Sequence, residues 1–408
     1  MKVLQINFSD YAGGGGGSIA HFRLLESLRN LGIDCQSLSG IKTTDLSYTK
    51  PITRWLKCES VIQKTTRQLG LNDIHCVSSF SLDKDPFFIN ADILNFHIIH
   101  SGFFSYLSIP YLTHKKPAVF TLHDMWSFTG HCAYSYDCSR WQIGCGQCPY
   151  PETYPAIRRD STRWEWKLKD WVYAHSNLTI VAPSRWLVAQ AKISLLGRFS
   201  VHHIPSGIDT NAYQPLNSEL CRSALGIPPE KKVLLFSAEN LKDARKGGDL
   251  LVQSLQQLPA ELKQDCVLLT LGKRATQLEA AVNMPAIHLG YVSSDRLKAV
   301  AYSAADLFIF PTRADNLPLV LQESMACGTP MISFDIGGVS DLVRPGVTGY
   351  LARPENTSDF CDGIIKLLKD DVQREQLGEN CRRIALEEYS LELQAQRYQR
   401  LYQQVLNN

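Results

Sequence analysis

The chain has no apolar stretch approaching the ~20 residues needed to cross a bilayer, which excludes a spanning helix and leaves only surface attachment open. A strong excess of either charge is also missing. Lys and Arg number 42 against 40 Asp and Glu, a net of +2 without the basic excess of a nucleic-acid-binding protein. Low-complexity tracts are absent apart from one glycine run. At 408 residues, 44% hydrophobic and 20% charged, the composition is that of a folded chain, neither disordered nor a small stapled scaffold. That length corresponds to roughly two to four domains. The opening run Val3–Phe8 is too short and too polar for a signal-peptide core and meets the glycines at once, so it reads as a first strand. The expected compartment is therefore the cytoplasm, with the inner face of the membrane as the alternative.

What the sequence does have is strand followed by helix, repeated. Strand-like runs at Val3–Phe8, Ile93–His97, Ala118–Leu122 and Leu178–Ala182 each lead into turn residues, and Ser18–Leu31 carries apolar residues at helical spacing. A second series follows Tyr213–Pro229, with strands at Val233–Ser237, Val267–Leu271, Ile287–Leu289, Leu307–Phe310 and Met331–Phe334 and helices at Gly248–Leu258, Asp295–Ser303 and Pro318–Cys327. Alternation of this kind argues for parallel βαβ units. The reading is two α/β domains in tandem, 1–212 and 213–390, joined near Asp209–Pro215. A final helical segment, 391–408, is expected to pack back across the joint onto the first domain.

Two segments carry chemistry. Gly13, Gly14, Gly15, Gly16 and Gly17 stand between the first strand and the first helix, where exposed backbone amides make an anion site. A dinucleotide fingerprint fits only by letter. No glycine stands three positions beyond the run, and the second strand, Asp34–Leu38, ends without a convincing acidic residue. The second segment runs from Arg313 to Pro330. It follows a buried strand, opens a helix with Pro318 in its first turn and closes it at Gly328. Asp315 then lies in the strand-to-helix turn and Glu323 about one and a half turns into the helix, with the amides of Asn316, Leu317 and Leu319 between. Carboxylates accept from hydroxyls and amides donate to phosphate oxygens, so such a pair suits two polyol rings flanking a diphosphate.

An acidic residue, seven residues and then Glu, within Leu-Pro-Leu-Val-Leu-Gln-Glu-Ser-Met-Ala-Cys-Gly-Thr-Pro, resembles the signature of the retaining, nucleotide-sugar-dependent glycosyltransferases of family 4. The likeness extends through Thr121-Leu122-His123-Asp124, Ala182-Pro183-Ser184-Arg185, Ser206-Gly207-Ile208-Asp209, Lys246-Gly247, Gly290-Tyr291-Val292, Gly337-Gly338-Val339 and Gly346-Val347-Thr348-Gly349. It implies the GT-B fold, two facing Rossmann-like domains with the donor in the cleft between them. By the same resemblance Glu323 binds the ribose hydroxyls and Asp315, with the amides after it, the donor sugar. Lys246 neutralises the diphosphate, the glycine loop approaches it, His123 reaches the sugar near the reacting carbon, and the backbone at Tyr291 and Val292 reads the base. The catalytic set is thus His123, Lys246 and Asp315. Asp315 stands where the family usually has Glu, and Arg245 takes the place of a basic residue commonly found several positions before the lysine. The implied reaction moves a hexose, glucose first, from a uridine diphosphate sugar to a saccharide acceptor of exopolysaccharide or envelope polysaccharide, lipid-linked acceptors included, and requires no catalytic metal. A nucleotide-sugar epimerase, a phosphorylase and an inactive binding homologue are the competing readings on the same fold.

Of twelve cysteines, eight are scattered singly and four cluster as Cys132, Cys138, Cys145 and Cys148. Only the last two have zinc-knuckle spacing, so structural zinc, a redox-dependent disulfide and reduced thiols all remain open. Asp83-Lys84-Asp85 matches a metal-binding D-x-D by letter and is expected to be a solvated turn. His97 and His100 bracket a strand end, near the acceptor or simply structural. Trp164, Leu168 and Trp171 share one helix face, for which the core is the expected place and an interfacial membrane helix the alternative.

Overall fold

The computed structural model describes residues 1–11, 15–240, 243–273 and 281–407. The chain divides into two compact units, the first made of Met1–Gly207 with Glu392–Asn408 and the second of Ile208–Leu391. Unit 1 is built on β1 (Lys2–Ser9), β2 (Asp34–Ile41), β3 (Thr49–Pro51), β4 (Ile93–Phe96), β5 (Ala118–Thr121), β6 (Thr179–Ala182) and β7 (Val201–His203). They form one sheet in the order β3-β2-β1-β4-β5-β6-β7 with every pairing parallel. β4 and β5 are buried along their whole length, as continuous apolar strands covered on both faces must be.

Unit 2 repeats the plan with β8 (Lys232–Asn240), β9 (Cys266–Lys273), β10 (Ala286–His288), β11 (Leu307–Phe310), β12 (Met331–Phe334) and β13 (Gly349–Ala352). The order is β10-β9-β8-β11-β12-β13, again wholly parallel. In both sheets the chain builds outward from a central strand, then returns and builds the other way. That reversal opens a crevice beside the carboxyl ends of β1 and β4 in unit 1 and of β8 and β11 in unit 2, where sheets of this kind take their ligands.

The units divide after Gly207, a few residues before the expected joint. Ile208 is buried in the unit 2 core and pairs with Ser390, its N–H donating to the Tyr389 carbonyl at 2.8 Å while its own carbonyl accepts from Leu391 N–H at 3.2 Å. The outgoing and returning strands are thereby held side by side. The closing helix, Leu391–Asn407, belongs to unit 1: Tyr398 and Tyr402 join a core with Val3, Leu24, Leu25 and Val119. Asn95 donates to the Tyr402 hydroxyl at 2.8 Å, and the Tyr398 and Thr121 hydroxyls are 3.0 Å apart.

One expectation is reversed for two of its three residues, Leu168 alone packing against the core. In the Thr162–Ala174 helix, Trp164 and Trp171 are 65% and 53% exposed, while Glu165, Lys169, Val172 and Tyr173 point inward. The inward charges meet polar partners that apolar side chains could not serve. Lys169 Nζ donates to the carbonyls of Trp126 and Thr129 at 2.6 and 3.0 Å and sits 3.7 Å from the centre of the Trp126 ring. Glu165 accepts from the Tyr106 hydroxyl at 2.5 Å and from the Asn72 amide. Asp83 and Asp85 are likewise engaged rather than solvated. Asp83 accepts from Tyr111 and Lys115, and Asp85 caps the Pro86–Asn90 helix and pairs with Lys50.

Candidate active site

In unit 2 the turns leaving β8 and β11 are tied together by charge. Asp315 is buried, and its Oδ1 accepts from Arg245 Nη1 at 2.8 Å and Lys246 Nζ at 3.1 Å. Its Oδ2 accepts from Lys246 Nζ and Thr312 Oγ1, both at 2.8 Å. Burial acts to raise the Asp315 carboxyl, but Lys246 and Arg245 outweigh it, so the group titrates below the ordinary aspartate range. Burial pulls the Lys246 ammonium below the ordinary lysine range against the opposing pull of Asp315. A carboxyl held below the ordinary aspartate range is ionised at neutral pH, as the two cations beside it require.

Backbone geometry sets this cluster in place. Asp243 caps a short turn by accepting from Arg245 N–H at 3.0 Å, and Gly247 follows with φ +70°. A Cβ on Gly247 would lie 1.8 Å from the Pro311 carbonyl oxygen, so only glycine lets the two turns approach. Gly337 makes the matching approach from the turn after β12. A Cβ there would lie 2.1 Å from the Asp315 carbonyl oxygen, to which Gly338 N–H donates at 3.1 Å. Arg313 faces the other way and clasps Asp249 at 2.7 and 2.6 Å.

Asn316 and Leu317 are buried ahead of the Leu319–Ala326 helix, with Leu319 half-buried at its start. Glu323 is buried on the same helix and accepts from the Tyr302 hydroxyl at 3.2 Å. Tyr291, exposed, lies beyond β10 with Lys273 Nζ 4.8 Å from its ring centre, and the half-buried Val292 packs on the core. The structure thus joins Arg245, Lys246 and Asp315 directly and puts Glu323 on its own contact. Thr312 and Asp243, which hold the cluster, carry no sequence signal beyond lying in strand-end turns.

In unit 1 the glycine run and His123 meet. Gly13 and Gly14 lie outside the described residues; Gly15, with φ +66°, and Gly16 open the first helix. At Gly17 a Cβ would lie 2.4 Å from Ile98 Cδ1 and 3.4 Å from His123 Nδ1, so the helix start is pressed against the ends of β4 and β5. Asn7, on β1, joins the helix to the end of β4, donating to Ser18 Oγ and accepting from Ile98 N–H at 3.1 Å. His123 Nε2 and His97 Nδ1 are 3.1 Å apart, and the His97 ring also packs edge-on against His21 at 4.9 Å. His100 instead bonds Asp124 at 3.1 Å and Ser101 at 3.0 Å.

Burial lowers all three imidazoles of this cluster, His21 to about 3, His123 to about 4 and His97 well below its ordinary value. They stay neutral when folded, whereas in the unfolded chain they take up protons as pH falls through about 6.5. The unfolded state then binds more protons, so stability is lost on acidification from that point, well before the carboxylates respond near 4. The urea midpoint of unit 1 unfolding is expected to fall from pH 7.5 to pH 5.5, with a smaller drop for His21→Phe. Equal midpoints at the two pH values would count against neutral burial.

Neither the four clustered cysteines nor the other eight are joined in a disulfide. His131 Nε2 lies 3.2 Å from Cys148 Sγ, and Gly130 N–H donates to Cys145 Sγ at 3.2 Å. Among the described residues no three His, Cys, Asp or Glu side chains stand where they could hold one metal ion.

Two wholly parallel α/β sheets in one chain, with charged or glycine-rich turns at their switch points, are the architecture of the GT-B glycosyltransferases. Residues 15–212 match the model of Glycosyltransferase Family 4 and residues 217–384 that of Glycosyl transferases group 1. The chain belongs to glycosyltransferase family 4. It is 29% identical over 253 residues to a putative colanic acid biosynthesis glycosyl transferase of Escherichia coli K12, covering 59% of each chain. Eight of the curated relatives it matches are spanned over only 42–60% of their length. Among solved structures, sucrose-phosphate synthase from Thermosynechococcus elongatus aligns over 100% of both chains with a TM-score of 0.72 at 19% identity. Anabaena Alr3699/HepE in complex with UDP and glucose aligns over 99% of both, with a TM-score of 0.67 at 17% identity. At these identities the structural matches speak to the fold.

Proposed function

We propose that the chain is a retaining glycosyltransferase that moves a hexose, glucose first, from a uridine diphosphate sugar to a saccharide acceptor during envelope or exopolysaccharide assembly. The observation that carries this reading is the Arg245, Lys246, Asp315 and Thr312 cluster at the β8/β11 switch point. Two fixed cations stand where a diphosphate needs compensation, and a carboxylate shared between them can exchange partners for sugar hydroxyls. The likeness to a colanic acid enzyme supports the acceptor class, and the complex of Alr3699/HepE with UDP and glucose supports the donor.

In the proposed reaction the bond between the anomeric carbon and the β-phosphate oxygen breaks, and its electron pair leaves on that oxygen. Lys246 and Arg245 stabilise the developing negative charge, the largest contribution available without a covalent nucleophile. The acceptor hydroxyl attacks from the same face, its proton passes to the departing phosphate oxygen, and the configuration is kept. Glu323, oriented by Tyr302, takes the ribose hydroxyls. His123, held by His97 and the glycine turn, is assigned to the sugar on the family resemblance alone. No step is assigned to a metal, and zinc or reduced thiols at the cysteine cluster are told apart by metal analysis of the purified protein.

The test is a donor panel read by thermal shift and by sugar release, with and without a chelator. Uridine diphosphate and its glucose conjugate are expected to raise the melting temperature, and hydrolysis to persist in chelator. Stabilisation by guanosine or adenosine nucleotides alone would discard the donor assignment. Activity that vanishes with chelator and returns with Mg or Mn would overturn the metal-free step.

A further inference from the structure

The Thr162–Ala174 helix turns outward a face that is left exposed among the described residues of unit 1. Trp164 and Trp171 are seven residues apart, two turns along one side of the helix at about 10 Å separation. Both are more than half exposed, although tryptophan is among the most costly side chains to leave in water. Lys167 lies between them with its ammonium 5.2 Å from the centre of the Trp164 ring, and His175 stacks on Trp171 at 4.7 Å. Arg163 begins the same face, and Arg158 and Arg159 are exposed just before it.

Glu152 shares a pocket with Arg158, whereas the acidic groups on and just before the helix are engaged. Asp170 pairs with Arg198, and Asp160 accepts from Thr162 and from the Cys148 amide at 2.7 Å. The inward carboxylate, Glu165, is buried. A loop bearing a further apolar residue is fastened to this helix: Trp166 Nε1 donates to the Trp141 carbonyl at 2.7 Å and Gly146 N–H to Thr162 Oγ1 at 2.9 Å. At its tip Ile143 is 87% exposed, next to Arg140.

We infer that this face docks on an anionic lipid surface. Tryptophan prefers the boundary between headgroups and acyl chains, where its ring is shed from water while its N–H stays hydrogen-bonded. The basic residues beside the rings supply attraction to anionic headgroups. Arg159, Arg163 and Lys167, with every described carboxylate of the helix engaged, favour a negatively charged partner over a neutral saccharide, for which two rings alone would suffice. The helix is held to unit 1 by its inward charges, so it lies along the surface rather than entering it.

Sedimentation of the full chain with vesicles tests this directly. With phosphatidylglycerol:phosphatidylethanolamine vesicles at low salt the protein is expected to pellet, and at least ten-fold more weakly with pure phosphatidylcholine. Trp164→Ser/Trp171→Ser should lower binding at least ten-fold with unchanged thermal unfolding, and Lys167→Glu should weaken it and reduce its salt dependence. No pelleting of the wild type on anionic vesicles overturns the inference, as does a double variant that binds like wild type. Tryptophan quenching by a neutral oligosaccharide, lost in the double variant while vesicles go unbound, would make the face a sugar platform instead. Because the readout is lipid binding, the result stands apart from the assignment of the transfer reaction.

Discussion

Lys246→Ala is expected to lower kcat by about 10²–10³, the usual loss when one preorganised charge is removed from a developing anion. The alanine chain keeps Arg245 and Thr312 on Asp315, so its carboxylate is not stranded and the fold should survive. Stability will nevertheless fall, since Lys246 supplies two of the contacts to Asp315 and lies over the Phe310 ring at 5.1 Å. The two effects separate by measuring turnover at saturating donor beside the unfolding midpoint. A variant with near-normal kcat refutes the role of the ammonium in departure of the phosphate, whatever happens to its melting temperature.

Gly247→Ala should be the most damaging single methyl group in unit 2. The left-handed backbone alone costs a non-glycine residue about 1–2 kcal/mol, but here the new Cβ also meets the Pro311 carbonyl at 1.8 Å, which neither a rotamer nor a flexible neighbour can relieve. A built-in comparison is Gly226, with φ +68° and nothing within 4 Å of its would-be Cβ. Gly226→Ala should show the backbone cost alone, and Gly247→Ala a loss beyond about 3 kcal/mol that also uncouples Lys246 from Asp315. Similar denaturation midpoints for the two variants would mean that the β8 and β11 turns move apart easily.

The strand and helix plan was legible because parallel strands are buried on both faces and announce themselves as apolar runs. Leu307–Phe310 and Met331–Phe334 have the boundaries expected of them. Short edge strands such as Thr49–Pro51 and Val201–His203 were not, since three residues carry no period. Asp315, Lys246 and Glu323 could be singled out from residue type, spacing and resemblance. Thr312 could not, because a threonine after a strand is common and its role appears only when the β8 turn is brought against it. The Thr162–Ala174 helix misled for a physical reason. Its three large apolar residues mark one face and its charges another, yet the carbonyls of Trp126 and Thr129 needed a donor, and Lys169 went inward to provide it.

The placement of the Leu391–Asn407 helix in unit 1 bears on how the molecule is made. Tyr398 and Tyr402 complete the packing of β1 and β5, but they leave the ribosome only after all of Ile208–Leu391 has been synthesised. At about 5–20 residues per second that delay is on the order of ten to forty seconds. During it the N-terminal sheet has an open apolar flank, while unit 2, whose residues are contiguous, can finish first. The order of completion therefore inverts the order of translation, and the nascent first half is the part of this chain that most needs protection from aggregation.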